Sequence, residues 1–239
     1  MNDLQRLQAR IDSAKRIVFF GGAGVSTESG IKDFRSVDGL YHQQYDYPPE
    51  IILSHSFFEA NPEEFYRFYR EKMLCPDVQP NGAHRALAKL EAAGKLTAVI
   101  TQNIDGLHQA AGSKQVLELH GSTHRNYCAC CRKQYSLEHI LNTQGVPRCS
   151  CGGIIRPDVV LYEEMLDGFV MSQAIEHLRH ADLLIVGGTS LVVYPAAGLL
   201  RYYRGRELVL MNRDATPYDD EATLVIREPI GKTLEQIRI

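Results

Sequence analysis

The residues of this chain best placed to do chemistry are two close pairs of cysteines, a histidine at the end of an apolar run, and a run of glycines after another. Cys128 and Cys131 form a Cys-x-x-Cys pair, and after seventeen intervening residues Cys149 and Cys151 form a Cys-x-Cys pair. Four thiolates from two tight turns suit one tetrahedral structural zinc ion. The second turn is one residue shorter than usual, but side chains two apart in an extended segment point the same way and can still chelate. By the same rule adjacent Cys130 and Cys131 diverge, which leaves Cys130 surplus. Four cysteine ligands leave no open coordination position, so this zinc is expected to be structural and not catalytic. A redox Cys-x-x-Cys or a pair of disulfides is the weaker reading without a thioredoxin-like context or a secretion signal. Lone Cys75, between Leu74 and Pro76, reads as a buried apolar residue.

The glycine run "FFGGAGVSTESG" (19 to 30) follows an apolar stretch, and Gly22 and Gly24 could let the backbone approach a phosphate at the start of a helix predicted there. Thr27 holds the place of the third glycine of the dinucleotide fingerprint, and no acidic residue ends the second strand, so a hydride-transferring dehydrogenase fits poorly. Gln102, Asn103, Ile104 and Asp105 follow another apolar run, at the end where α/β sheets bind ligands, although Asn103 and Asp105 are also ordinary turn residues. His120 ends "QVLELH" (115 to 120); by itself it reads equally as structural or catalytic. His84 and His108 sit on helix-like stretches and read as structural, and His124 carries no assigned role.

The elements that must position these groups are six short Val- and Ile-rich runs: 16 to 21, 96 to 102, 115 to 120, 181 to 188, 207 to 212 and 222 to 228. Helical patterns at 82 to 95 and 171 to 181 lie between several of them, the alternation of a parallel sheet covered on both faces. The expected fold is α/β: a doubly wound, Rossmann-like large domain. Two segments interrupt its rhythm, an aromatic helical one with a start at Asn61 and Pro62, and one rich in cysteine, glycine and proline. The expected division is 1–37, 75–123 and 157–239 for the large domain, with a smaller inserted domain made of 38–74 and the zinc-binding 124–156.

With 239 residues, 44% apolar and 23% charged, the chain has the composition of a globular protein with a full core. A net charge of −3 and a pI near 6.3 give no basic footprint, so neither nucleic acid nor an anionic membrane is an expected partner. The first residues show Leu4, Leu7 and Ile11 at helical spacing instead of the apolar core of a signal peptide, and the expected location is cytoplasmic. Oligomeric state is not legible.

"GAGVSTESGIKDFR" (22 to 35), "TQNIDGLHQAAG" (101 to 112), "ELHGS" (118 to 122), "GTSLVVYPAAGL" (188 to 199) and "MNRDATPYDDEA" (211 to 222) occur in the order and spacing of the sirtuins, the NAD-dependent protein lysine deacylases. The chain resembles that family over nearly its whole length, and bacterial members most. The resemblance implies NAD as cofactor, one structural zinc and acetylated proteins as substrates. It implies NAD contacts at Gly22, Ala23, Gly24, Thr27, Phe34 and Arg35, with Phe34 near the nicotinamide. Gln102, Asn103, Ile104 and Asp105 would follow, the last two against the carboxamide and Asn103 near the ribose as a catalytic residue alongside His120. Gly188, Thr189 and Ser190 would make a second contact, Asn212 would hold the adenosine ribose and Ile230 would face the adenine. The acylated peptide would lie between 159–165 and 190–195, paired as a strand with both, with Val160, Tyr162 and Val193 as candidate substrate contacts.

The implied chemistry is attack by the acetyl oxygen on the anomeric carbon of the nicotinamide ribose. His120 then activates a ribose hydroxyl, and lysine and O-acetyl-ADP-ribose are released. A base working near neutral pH favours the catalytic reading of His120. Two departures stand out. Leu161-Tyr162-Glu163 replaces the commoner Phe-Gly-Glu, and Tyr66 is followed by Tyr69, with Arg70 one position on, where members that take acidic acyl groups have Tyr and Arg three apart. Acetyl or a similar uncharged group is therefore expected over succinyl. The rival readings are a protein mono-ADP-ribosyltransferase using the same NAD site and a non-catalytic zinc-containing interaction module.

Overall fold

All six apolar runs become strands, and they read as continuous because helices cover both faces of the sheet they build. The computed structural model describes residues 1–33 and 47–239. Its strands are β1 (Ile17–Gly21), β2 (Leu96–Thr101), β3 (Val116–Glu118), β4 (Gly121–Cys128), β5 (Gln134–Ser136), β6 (Ile155–Val159), β7 (Leu183–Gly187), β8 (Glu207–Met211) and β9 (Leu224–Ile226). Six pair in parallel in the order β3-β2-β1-β7-β8-β9, so the chain reverses its direction of winding between β1 and β7. Register aligns Gly21, Thr101 and Gly187 at the carboxyl ends of the three central strands.

Alternation along each strand divides the interior in two. Ile17 and Phe19, with Leu183 and Ile185, face one way, onto Leu7 and Ile11 of the helix Asp3–Ser13 and Leu87 and Leu90 of the helix Gly82–Ala92. Val18 and Phe20, with Leu184 and Val186, face the other way, onto Ala174 and Leu178 of the helix Gly168–His180. Each large side chain so buried contributes roughly 1.5–3 kcal/mol. The helices begin where side chains can accept their first N–H groups: Asn2 from Gln5, Asn81 from Ala83, and Asp167 from Phe169 and Val170. None of the described helices is long and apolar enough to cross a membrane.

The helix start read at Asn61 and Pro62 is where Pro62–Phe68 begins, and a separate short helix ends just before it. His55–Ala60 is capped by the Ser54 hydroxyl, Pro62–Phe68 restarts at Pro62, and a π-helical turn, Tyr69–Met73, follows. The aromatic face of these helices (Phe58, Phe65, Tyr66, Tyr69) shares one core with Cys128 and Ile155 of the second, antiparallel sheet β5-β4-β6, with Ile140 of the helix Leu137–Leu141 and with Cys149. The Tyr66 hydroxyl donates to the Ile155 carbonyl within it. The two segments that interrupt the large sheet therefore pack on each other.

Cys128, Cys131, Cys149 and Cys151 bring their four Sγ atoms within 4.8 Å of one another. Sγ separations of 3.5 Å (Cys128 to Cys151) and 3.6 Å (Cys131 to Cys149) lie far beyond a disulfide and near the edge, roughly 3.8 Å, of a tetrahedron with Zn–S bonds of about 2.3 Å. The short second turn is no obstacle: the Gly152 N–H closes it on the Cys149 carbonyl and lets Cys151 turn back. Cys130 is exposed and lies outside the group. Four thiolates here fit one zinc ion that pins β4 to the 149–153 turn.

His84 and His108 meet edge to face in the large core, ring centres 4.7 Å apart and 0% and 1% exposed, and among the described residues neither His108 nitrogen nor His84 Nε2 has a hydrogen-bond partner. Burial pushes both below the ordinary imidazole range, His108 to about 3. The unfolded chain, titrating near 6.5, binds protons that the folded one refuses. The pair is thus at no disadvantage above about pH 6.5, and stability falls as the pH drops from there toward about 3.

Two outcomes are expected. Cys130→Ser retains one zinc per chain and a normal melting midpoint, whereas Cys128→Ser loses both, as read by metal analysis and thermal unfolding; zinc loss from Cys130→Ser would contradict the assignment. His108→Leu moves the acid-unfolding midpoint, followed by circular dichroism, to lower pH; an unmoved midpoint would remove this pair as a cause of acid lability.

Candidate functional site

Every strand of the parallel sheet ends at the rim of one cavity of about 880 Å³. Its lining includes residues directly after β1, β2, β7, β8 and β9, and His120, two residues past the end of β3. That is the crevice at a topological switch point where open α/β sheets take ligands.

Two turns meet across the switch. The Gly24 N–H donates to the Gly188 carbonyl at 2.8 Å, and a Cβ on Gly24 would lie 2.7 Å from the Gly188 Cα. Gly188 itself has φ +59°, and a Cβ there would meet the Val25 nitrogen at 2.3 Å. Only glycines permit this approach. The helix predicted to open at the glycine run does not form: two single 3₁₀ turns, Ala23–Val25 and Thr27–Ser29, end at Gly30 in the left-handed region. Glycines, Ser26 and Thr27 are poor helix formers, and the bond to Gly188 takes backbone groups that a helix would use.

Ser26 joins the first turn to the second. It is 1% exposed, donates its hydroxyl to the Asp105 carboxylate at 2.7 Å and accepts from the Asn103 side-chain amide at 3.1 Å. The Asp105 carboxylate also accepts from the Leu107 N–H, and the Asn103 N–H donates to the Thr101 hydroxyl. Gln102 reaches the other way, donating its amide to the Thr189 hydroxyl at 3.0 Å.

His120 follows β3. Its Nδ1 lies 2.9 Å from the Gln102 carbonyl, which can only accept, so Nδ1 carries the proton and Nε2 is left with a lone pair. Burial lowers its pKa, only partly offset by that carbonyl, so the ring is neutral near pH 7. A neutral imidazole with Nε2 free to accept, on the wall of a cavity, is the arrangement of a general base.

The sequence-derived candidates Gly22, Ala23, Gly24, Thr27, Gln102, Asn103, Ile104, Asp105, His120, Gly188, Thr189, Ser190, Asn212 and Ile230 all line this cavity, as do Val160, Tyr162 and Val193. Phe34 and Arg35 lie outside the described residues. Sequence reasoning missed Ser26, Glu28, His124 and Arg227 on the same wall. His124 Nε2 bonds the Asp105 carbonyl at 3.1 Å, and Arg227 donates to the Asn212 and Asp214 carbonyls at 2.9 and 2.8 Å. Ser26 and Glu28 both lie inside the first motif, but nothing local marks their distant partners.

Within 159–165, where the peptide is expected to pair, Tyr162 turns its ladder groups toward the chain's own residues 53–55. Its N–H donates to the Leu53 carbonyl and its carbonyl accepts from the His55 N–H, both at 3.0 Å, so its ladder groups are used within the chain. The path that replaces Phe-Gly-Glu is held by side chains. Glu163 has φ +75°, and its carboxylate accepts from the Ser56 N–H and hydroxyl, each at 2.9 Å. Glu164 bonds Arg156, His55 and the Leu161 N–H, and against the effect of burial these partners hold its carboxyl below the usual range. Tyr162 itself stands at the mouth, 37% exposed.

Comparison with known proteins agrees with this geometry. The model of the Sir2 family matches residues 22–195. A protein of Clostridium acetobutylicum named NAD-dependent protein deacetylase is 57% identical, covering 99% of this chain and 97% of its own. One of Staphylococcus aureus with the same name is 46% identical, covering 99% and 98%. Among solved structures, a Sir2 variant with deacetylated p53 peptide and 3'-O-acetyl-ADP-ribose superposes with a TM-score of 0.90 at 41% identity, covering 98% of this chain and 96% of that one. Sir2 with p53 peptide and NAD gives 0.86 at 41% identity, covering 99% and 97%. Full-length identity of this order, together with a family match over most of the chain, establishes that the chain belongs to the Sir2 family.

Proposed function

We propose that the chain is an NAD-dependent protein lysine deacetylase in which His120 is the general base. The observation that carries this reading is the His120 tautomer, fixed by the Gln102 carbonyl so that Nε2 accepts a proton at the cavity wall. Bound NAD supplies an anomeric carbon from which nicotinamide can leave, and the acetyl oxygen of the substrate lysine takes its place. The chain's part is to bind, orient and move a proton.

The turn from Gly22 to Thr27 and the facing Gly188-Thr189-Ser190 turn hold the cofactor's middle. Asn103, Ile104 and Asp105 face the nicotinamide ribose and carboxamide, held in place by Ser26. Asn212 and Ile230 take the adenosine end. His120 Nε2 removes a proton from a ribose hydroxyl, and the retained Nδ1 to Gln102 bond stabilises the imidazolium that results. Val160, Tyr162 and Val193 line the entry of the acyl-lysine, and the acetylated protein docks beside them. The zinc ion holds the small unit and takes no part in the chemistry.

The two-domain division given above belongs to the same proposal, supported by the separate core of Phe58, Phe65, Tyr66 and Cys128. So does a cytoplasmic location, supported by cysteines spaced for metal and therefore needing to stay reduced. An uncharged acyl group is favoured because Arg70 is engaged elsewhere. Its Nε donates to the Ile140 carbonyl at 3.1 Å, and its guanidinium lies 5.2 Å from the centre of the Tyr66 ring. Tyr69 lines the cavity in its stead, and Lys72, also on the wall, is paired with Glu71.

His120→Ala should bind NAD with nearly unchanged affinity and lose deacetylation by roughly 10²–10⁴-fold, the usual share of a general base. Near-normal turnover by that variant would refute the assignment. In the same assay a matched succinyl peptide should react at least about tenfold less efficiently than the acetyl peptide, since Arg70 spends its guanidinium on the Ile140 carbonyl and the Tyr66 ring and not on the acyl carboxylate. Equal efficiencies would overturn the acyl preference.

A further inference from the structure

We propose that Glu28 is a positioning residue for the adenine end of the cofactor: its carboxylate fastens the helix Ile230–Leu234, and with it Ile230, to the turn that follows β1. This rests on the NAD reading above and deepens it.

The first N–H groups of any helix lack partners within it, and Pro229, which precedes this helix, offers no side-chain cap. Glu28 supplies the cap from 203 residues away. Its Oε1 accepts from the Gly231 N–H at 2.6 Å and its Oε2 from the Lys232 N–H at 3.1 Å. A carboxylate is the group that the positive end of a helix favours. The approach is close: a Cβ at Gly231 would lie 2.9 Å from one carboxylate oxygen of Glu28 and 3.0 Å from the other, so a larger residue there would push the carboxylate off the backbone.

The other side of the helix is fixed too. A Cβ on Gly82 would meet the Gly231 carbonyl at 2.6 Å, so the helix Gly82–Ala92 packs directly on it, and Glu235 pairs with Arg85 at 2.8 Å. Between these supports Ile230 is buried, reaching toward the end of β7, with its Cδ1 3.5 Å from where a Gly187 Cβ would stand. Glu28 and Ile230 both line the cofactor cavity. The 3₁₀ turn that carries Thr27 and the helix that carries Ile230 are thus one unit, joined by two charge-assisted hydrogen bonds.

A direct role for Glu28 predicts the opposite behaviour. A carboxylate beside the cofactor's phosphates would repel them, and its removal would tighten binding. A latch acting through Ile230 weakens NAD when it is removed and leaves the chemical step alone.

The test is steady-state deacetylation at saturating acetyl-lysine peptide with NAD varied, for the unaltered protein, Glu28→Gln, Glu28→Ala, Ile230→Ala and the Glu28→Ala/Ile230→Ala double variant. Glu28→Ala should raise the KM for NAD by about five- to twentyfold with kcat within about twofold, well below the full worth of two hydrogen bonds to charge because Glu28 is exposed and acts on NAD only through Ile230. Glu28→Gln, which keeps one acceptor, should fall between. The double variant should be no worse than Ile230→Ala within about twofold, because one residue acts through the other. Melting midpoints verify that the variants compared are folded, and Glu28→Gln carries the test if Glu28→Ala is not. An unchanged or lowered KM, a loss confined to kcat, or fully additive effects would each overturn the latch. Absence of NAD-dependent turnover by the unaltered protein would instead remove the NAD reading, and the latch with it.

Discussion

The buried hydroxyl of Ser26 is the interaction on which the candidate site depends. It gives its proton to Asp105 and accepts from Asn103, so the turn after β1 and the turn after β2 cannot move separately. Removing it would leave the buried Asn103 amide without this partner, at a cost of ~1–3 kcal/mol, and would release the half-buried Asp105 carboxylate. The same two turns are tied to a third. Gly24 meets Gly188 after β7, and Gln102 meets Thr189. Three strands of one sheet thus deliver their turns as a single rigid wall, and His120 takes its orientation from the same segment through the Gln102 carbonyl.

This coupling explains why the chemistry and the metal lie in different parts of the chain. A base whose Nε2 must stay unprotonated near pH 7 needs a partly buried place and a fixed tautomer, which the parallel sheet provides. The thiolate cluster needs only two turns and a small core, which the antiparallel sheet and the aromatic helices provide. The segment 161–164 lies between the two. Glu163 and Glu164 bind it to Ser56, His55 and Arg156, so side chains fix the path of this segment.

Much of this was legible before any coordinates. The six strands announce themselves because burial on both faces leaves no polar alternation to confuse the reading, although the strands are trimmed at their ends. The four metal-site cysteines were legible from spacing alone, and Cys130 lies outside the cluster as expected. The glycine run misled, because a strand end followed by glycines usually opens a helix, and here a contact with residue 188 diverts it into two single turns. The start at Asn61 and Pro62 was legible, whereas the short helix His55–Ala60 before it was not, because Pro62 can begin a helix without showing that another ends just before it. Ser26 and Glu28 could not be recognised, since their partners lie 77 to 79 and 203 to 204 residues away and nothing local marks the contact. The motif residues that line the cavity were found together only because several motifs kept their order, each alone being ordinary turn chemistry.

The most direct measurement of the central claim is an account of products. Incubated with NAD and an acetyl-lysine peptide, the protein should yield deacetylated peptide, nicotinamide and O-acetyl-ADP-ribose in equal amounts by mass spectrometry. Nicotinamide released with ADP-ribose attached to protein or peptide, and no O-acetyl-ADP-ribose, would contradict the account and make the chain an ADP-ribosyltransferase; no product at all would leave it a zinc-containing module without this chemistry.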